Sequence, residues 1–363
     1  METLEQINQI FREALSIEPP PADTDLILTG TLDSLAIVSL VVELEERFSI
    51  KIPLETLELD TLRTPQRIAE LVDENVCERG GSSVLEPEPS QTLVALRPGS
   101  SGLPVFLVHA AWGSALSMHP LAVALATTRP VYALQARGLD PDDEPQRTVE
   151  EMARTYVEAI REAQPTGPYT LGGYSFGGLV AFEMARLLAQ LGDHVELLAL
   201  IDPEAHHRSL PIATRCKFLL TMPLRYVHSQ FTDPRSSRVR QYVTKLLARL
   251  FPGLPIDAPV QRREPPPQYQ RVIRVADAAS RAYRPGNYDG DAVLYLGEAR
   301  GPRECDPLEV WSRKVRGRLE VQRIPGHHRA LLSGSGLNAV ADCLSASLSN
   351  SAGPREAGSP VVV

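Results

Sequence analysis

The sequence predicts a doubly wound, mostly parallel α/β sheet preceded by a small helical bundle, and three observations carry that expectation. Beyond residue 91, short apolar runs alternate with amphipathic helical stretches, the pattern of a parallel sheet buried on both faces. Before residue 79 only helical apolar spacings occur. Between them, RGGSSVLEPEPSQ (79–91) mixes Gly, Ser, Pro and Glu with little to bury, as a flexible tether does. A chain of 363 residues, 43% of them hydrophobic, has enough core for two such units.

The N-terminal unit holds three helical patterns. One runs from about Leu4 to Leu15, with Ile7, Ile10, Phe11 and Leu15 on one face; the others span about Ser34–Phe48 and Pro65–Val76. LTGTLD and KIPLETLELDT between them read as loops. In the second unit the expected strands are TLVALR, PVFLVH, PVYALQ, YTLGGY, ELLALI, AVLYLG and LEVQRI. Helices are expected over 148–163, 176–191 and near 336–348. The stretch 205–284 breaks the alternation: it is rich in Arg and Pro and holds helix-like pieces such as RQYVTKLLARLF. An insertion of that length between two strands is too long for an ordinary loop and suggests a lid.

Composition narrows the function. No run of 18 apolar residues exists, so no transmembrane helix is expected, and METLEQINQIFREAL is acidic and amphipathic, unlike a signal peptide. The four cysteines (Cys77, Cys216, Cys305, Cys343) show neither metal-ligand spacing nor a disulfide framework, which fits a reducing, cytoplasmic setting and no metal. The net charge of −8 argues against nucleic acid as a partner. That figure conceals a division: residues 1–80 carry −11 and residues 204–284 carry +10. A basic block over the site would attract the acidic front unit and steer it.

The chemistry is carried by Gly173-Tyr174-Ser175-Phe176-Gly177, which follows one expected strand and opens the helix LVAFEMARLLAQL. That is the setting of a nucleophile elbow: Gly two residues either side of Ser admits a crowded, sharp turn, and the serine hydroxyl rises at a helix N-terminus. Serine needs a base and a group to orient that base, in chain order Ser, acid, His. Asp202, closing ELLALI, is the preferred acid and Asp306, after AVLYLG, the alternative; both lie past strand C-termini. His327 and His328 in IPGHHRALL supply the base, with His328 preferred. Phe176 and Ala111, the latter in HAAWGSALS, are expected to offer the two N–H donors of an oxyanion hole.

Together VFLVHAAWGS, GYSFGG, ALIDPE and PGHHRALL resemble the thioesterase domains that end polyketide and nonribosomal peptide synthetases, members of the α/β-hydrolase superfamily. The resemblance covers residues 92–345 and implies Asp202 as acid and His328, in the family's G-x-H motif, as base. Tyr174 before the nucleophile is similar to integral releasing domains, whereas Trp112 stands where relatives commonly have Gly. Residues 1–78, through GTLDSLAIVSLVVELEERFSIKIP, resemble an acyl or peptidyl carrier protein, a small four-helix bundle. Asp33-Ser34-Leu35 then matches the site where a phosphopantetheinyl transferase attaches 4'-phosphopantetheine to serine, here Ser34 at a helix start.

The domain layout implied is a carrier over 1–78, a linker over 79–91, a hydrolase domain over 92–349 with its lid at about 205–284, and a disordered tail over 350–363. The implied reaction is release of a carrier-bound acyl thioester through an acyl-serine, by hydrolysis or cyclisation. Transfer to a separate alcohol or amine, or a scaffold with a silent hydrolase domain, are the alternatives. Expected partners are the transferase, upstream synthetase or acyl-loading enzymes, and the acyl substrate carried as a thioester.

Overall fold

The computed structural model describes residues 2–351 except 16, 27, 28, 30, 33, 49, 51, 53–58, 79–91, 141–142, 211, 222–266 and 300–304. The expected linker, the centre of the expected lid with RQYVTKLLARLF, and residues 352–363 therefore lie outside the described residues, as does Asp33.

The N-terminal unit contains α1 (Glu2–Glu13), α2 (Ser34–Phe48), a 3₁₀ turn (Leu59–Leu62) and α3 (Pro65–Glu78). Three α-helices and one 3₁₀ turn are thus described where a four-helix bundle was expected. Each helix buries a stripe at i, i+3, i+4 spacing: Ile7, Ile10, Phe11 and Ala14; Ile37, Leu40, Val41 and Leu44; Ile68, Ala69 and Val72. These stripes form one cluster. Ala14 and Leu15 both follow the helix end at Glu13; Ala14 is buried and Leu15 packs half-buried against the same cluster.

The second unit is a seven-stranded sheet in the order β1-β3-β2-β4-β5-β6-β7. Its strands are β1 (Leu93–Arg97), β2 (Val105–Val108), β3 (Val131–Leu134), β4 (Tyr169–Tyr174), β5 (Val195–Ile201), β6 (Ala292–Ala299) and β7 (Leu319–His327). Only the edge strand β1 runs antiparallel, against β3. The other neighbours are parallel. Helices α4 (His119–Ala124), α5 (Val149–Ala163), α6 (Phe176–Gln190), α7 (212–221), α8 (Pro267–Ala282), α9 (Pro307–Trp311) and α10 (Gly334–Ser351) complete the unit.

Strand parity sorts the core into two layers. Phe106 and Val108 of β2 face a cluster with α5, α6 and α8. Val105 and Leu107 face the opposite cluster, with α4 and α10. β4 is buried at all six positions, as a central strand covered on both faces must be.

Two stretches differ from the sequence expectation. β7 continues through Pro325 and Gly326 to His327 instead of stopping at Ile324, because its inner neighbour β6 runs on far enough for Ala299 to pair with His327. The C-terminal part of the 205–284 block is also a core element. In α8 Val272, Ala276 and Ala279 are buried, and Ala276, Ala279 and the following Tyr283 join the α5/α6 cluster.

Candidate active site

Ser175 sits between β4 and α6 with φ 57° and ψ −119°, outside the regions L-residues favour. Its surroundings hold it there. Its N–H donates to the Ile201 carbonyl of β5 at 3.0 Å, and its carbonyl accepts the N–H groups of Gly178 and Glu204 at 3.1 and 3.2 Å. The two flanking glycines are sterically required. A Cβ on Gly177 would lie 2.3 Å from the His109 carbonyl oxygen and 2.5 Å from that of Val108, and one on Gly173 would lie 2.2 Å from the Gly177 oxygen.

Asp202 follows β5 with φ 43° and is almost fully buried. Its N–H donates to the Tyr295 carbonyl of β6 at 2.7 Å, and its Oδ1 accepts the Gly297 N–H at 3.2 Å. Oδ2 accepts the Nδ1–H of His328 at 2.7 Å. With that proton placed, Nε2 of His328 is the acceptor for the Ser175 hydroxyl, 2.9 Å away. Three residues far apart in the chain thus form one relay at the C-terminal rim of the sheet.

The alternatives separate cleanly. Asp306 is the N-cap of α9, its carboxylate accepting the Leu308 N–H at 3.0 Å. His327 is exposed at the end of β7. Asp202 and His328 are the pair the fold brings to Ser175.

The loop after β2 borders the elbow. Phe176 is the first residue of α6, so its N–H has no intrahelical acceptor. Ala111 follows Ala110, whose carbonyl accepts both the Gly113 N–H at 3.0 Å and Nδ1–H of His109 at 2.6 Å. Gly113, at φ +84°, is wedged so that a Cβ would lie 2.6 Å from Val272 of α8 and 2.9 Å from Ala136. Trp112 packs on the α4/α10 side of the sheet. Because Nδ1 of His109 donates, its Nε2 accepts the Tyr156 hydroxyl at 2.6 Å. Burial pushes His109 down to about 4, so the ring is neutral near pH 7.

The sequence reading gave no part in shaping the site to three residues of its own motifs: Tyr174, His109 and Glu204. Tyr174 stacks on His328, with ring centroids 5.0 Å apart and planes at 19°. Glu204, half-buried two residues past Asp202, accepts from Ser280 of α8. Burial raises its carboxyl above the usual range, against the Ser280 bond and the nearby His328. Each lies inside a motif quoted above, and that membership was the only available signal.

In the N-terminal unit, α2 opens at Ser34. A serine at a helix start after a loop suits a phosphodiester link to a phosphopantetheine arm, since the hydroxyl is the required nucleophile and the helix dipole favours the anionic phosphate.

A mostly parallel sheet with a strained serine between β4 and α6 defines an α/β-hydrolase. The thioesterase-domain family model matches residues 103–348, and the chain belongs to that family. The phosphopantetheine attachment-site model matches residues 5–72, so the N-terminal unit is a carrier domain bearing covalent 4'-phosphopantetheine. Among curated relatives, an inactive atromentin synthetase (invA3) of Paxillus involutus is 29% identical over 258 residues, 69% of this chain and 27% of its own length. Indigoidine synthase of Dickeya dadantii (strain 3937) is 35% identical over 198 residues, 54% of this chain and 12% of that protein. The chain thus spans about a quarter or less of the length of these relatives. The NocB thioesterase domain, solved as a covalent complex with a fluorophosphonate nocardicin G analog, is 29% identical with a TM-score of 0.50, covering 71% of this chain and 99% of that one. A four-domain nonribosomal peptide synthetase, AB3403, shares the fold over 95% of this chain and 25% of its own, with a TM-score of 0.53 at 24% identity.

The carrier domain implies modification by a phosphopantetheinyl transferase. No helix among the described residues is long and apolar enough to cross a membrane, and no group of described residues could hold a metal ion.

Proposed function

We propose that this chain carries an acyl group as a thioester on Ser34 and releases it through an ester on Ser175, within polyketide or nonribosomal peptide biosynthesis. The observation that carries the reading is the continuous relay from Asp202 through His328 to Ser175, at 2.7 and 2.9 Å. A carrier model and a thioesterase model matching one chain, together with its likeness to synthetases, support the biosynthetic setting.

The arm, when bound, supplies a reactive thioester at the end of a flexible tether. Ser175 Oγ attacks the carbonyl carbon as His328 Nε2 takes its proton, and Asp202 stabilises the imidazolium. The N–H groups of Ala111 and Phe176 hold the oxyanion; loss of one such donor costs roughly 2.7–4 kcal/mol of barrier in other enzymes. His328 then hands the proton to the departing sulfur, leaving acyl-Ser175. The same base next deprotonates water, or a nucleophile within the chain being released, which frees an acid or a ring and restores Ser175. In this scheme the net positive charge of residues 204–284 attracts the acidic carrier, and Arg235, Arg238 and Arg240 are the positions to reverse in testing steering.

The test is intact-mass analysis of the full chain after transferase treatment with an acyl-coenzyme A, which delivers the acyl-phosphopantetheine arm and leaves as adenosine bisphosphate. Wild type gains the arm and loses its acyl group, Ser175→Ala keeps it, and Ser34→Ala gains no arm. Acyl release by Ser175→Ala at the wild-type rate, or arm attachment to Ser34→Ala, defeats the assignment.

A further inference from the structure

We infer that Tyr174 is the positioning residue for the base: it holds His328 on its ring face and on its backbone, and steadies the charged imidazole that forms when Ser175 gives up its proton. The inference rests on the acyl-serine reading above and assigns a residue to it.

His328 stands on an exposed support. Pro325, Gly326 and His327 before it are all exposed, Gly326 has φ +112°, and the His328 side chain keeps 30% of its surface. Asp202 restrains the ring through Nδ1 and Ser175 meets Nε2, both from within the ring plane. Those in-plane bonds leave the ring face and the main chain to be held by something else. Tyr174 does both. Its ring lies along the imidazole at 5.0 Å and 19°, and its hydroxyl donates to the His328 carbonyl at 2.7 Å. Because Tyr174 immediately precedes Ser175 on β4, one residue ties the nucleophile's strand to the base's turn and so sets the 2.9 Å gap between Nε2 and Oγ.

The stacked ring has a further effect. An aromatic face attracts a cation, so the imidazolium gains more from Tyr174 than the neutral imidazole does. The other groups facing His328 are Asp202 from β5, Ser175 at the elbow and Glu204, which in turn meets Ser280, Asp277 and Arg281 of α8. Substituting Tyr174 leaves these in place, so its share can be read separately.

The test is the rate at which a simple alkyl fluorophosphonate labels Ser175 in the full chain, measured by intact mass from about pH 5 to about pH 9, where the acid limb reports protonation of the base. Tyr174→Phe keeps the ring and loses the hydroxyl: labelling slows about 3- to 10-fold with the acid limb unmoved. Tyr174→Leu loses both: labelling slows further and the acid limb moves to lower pH by roughly half a unit. A smaller rate with a limb displaced to lower pH is not what a merely loosened fold produces. Either variant labelling like wild type overturns the inference, as does a slow Tyr174→Leu whose limb stays put. If Tyr174→Leu does not fold, the near-isosteric Tyr174→Phe decides, a wild-type rate overturning the inference. A wild type that never labels is a different result: it removes the acyl-serine reading itself.

Discussion

Nε2 of His109 accepts a hydrogen bond from the Tyr156 hydroxyl at 2.6 Å, with both side chains sealed from solvent, and this pair underpins the loop that borders the nucleophile. Burial depresses His109 from its ordinary 6.5 to about 4. Between those values the unfolded chain binds a proton that the folded chain refuses. Stability from this residue is therefore complete above pH 6.5 and is lost as pH falls towards 4, by roughly 3 kcal/mol in all. His119, also depressed to about 4 by burial, adds to the same slope. Urea unfolding of wild type and His109→Gln at several pH values checks this; equal pH slopes would show that His109 contributes nothing.

Tyr156→Phe isolates the bond. It leaves Nε2 of His109 buried without a donor, at a cost of about 1–3 kcal/mol. Urea midpoints at pH 7.5 measure the loss, and an unchanged midpoint would mean that water or another group replaces the hydroxyl.

Asp202→Asn and Asp306→Ala should fail in different ways. The first keeps the geometry but favours the wrong tautomer of His328, and acyl release is expected to fall by about 10⁴. The second removes only the cap of α9 and should cost about 1 kcal/mol of stability with release intact. Release assays and melting curves run on both variants separate the roles; the opposite pattern would reassign the acid to Asp306.

Gly177→Ala tests the elbow's packing. The added methyl meets main-chain oxygens of His109 and Val108, which have no flexible end to swing aside. A loss of about 1–3 kcal/mol in thermal or urea unfolding is expected, together with slow labelling of Ser175. A variant as stable and reactive as wild type would mean that the backbone there yields freely.

Glu183 makes a sharper case. It is buried on α6 and accepts from Arg186 Nη1 at 2.6 and 2.8 Å and from the Tyr283 hydroxyl at 2.7 Å. Arg186→Ala strips the cation from a buried carboxylate and should destabilise by about 3–5 kcal/mol, while Glu183→Gln with Arg186→Met should recover part of the loss. Equilibrium unfolding of both decides, and a single variant within about 0.5 kcal/mol of wild type would refute it.

Much of this was legible in the sequence because it rests on local rules. All seven strands announce themselves as apolar runs between turn signals, and α2 and β4 begin and end where the sequence places them. Ser175 was readable because Gly173 and Gly177 are both forced by the same crowded turn. The choice of Asp202 over Asp306 rested on strand order, a topological argument, and geometry brings the carboxylate of Asp202 to His328. What could not be read depends on pairing across distance. Nothing local says that α8, in an Arg-rich block, packs in the sheet's layer, since its buried Tyr269, Val272, Ala276 and Ala279 are interleaved with Arg271, Arg274, Asp277 and Arg281. Nor does any pattern near Tyr174 foretell that a turn 154 positions later comes to rest on its ring.

The position of His328 beyond the last strand has a consequence for synthesis. During translation the carrier, the elbow and β5 with the following Asp202 all emerge before the base, which arrives on the turn after edge strand β7. A partly made chain can thus shape the nucleophile's turn, yet it holds no group to draw the proton from Ser175. On the acyl-serine reading proposed above, Ser175 gains its base only when the final strand is laid against β6.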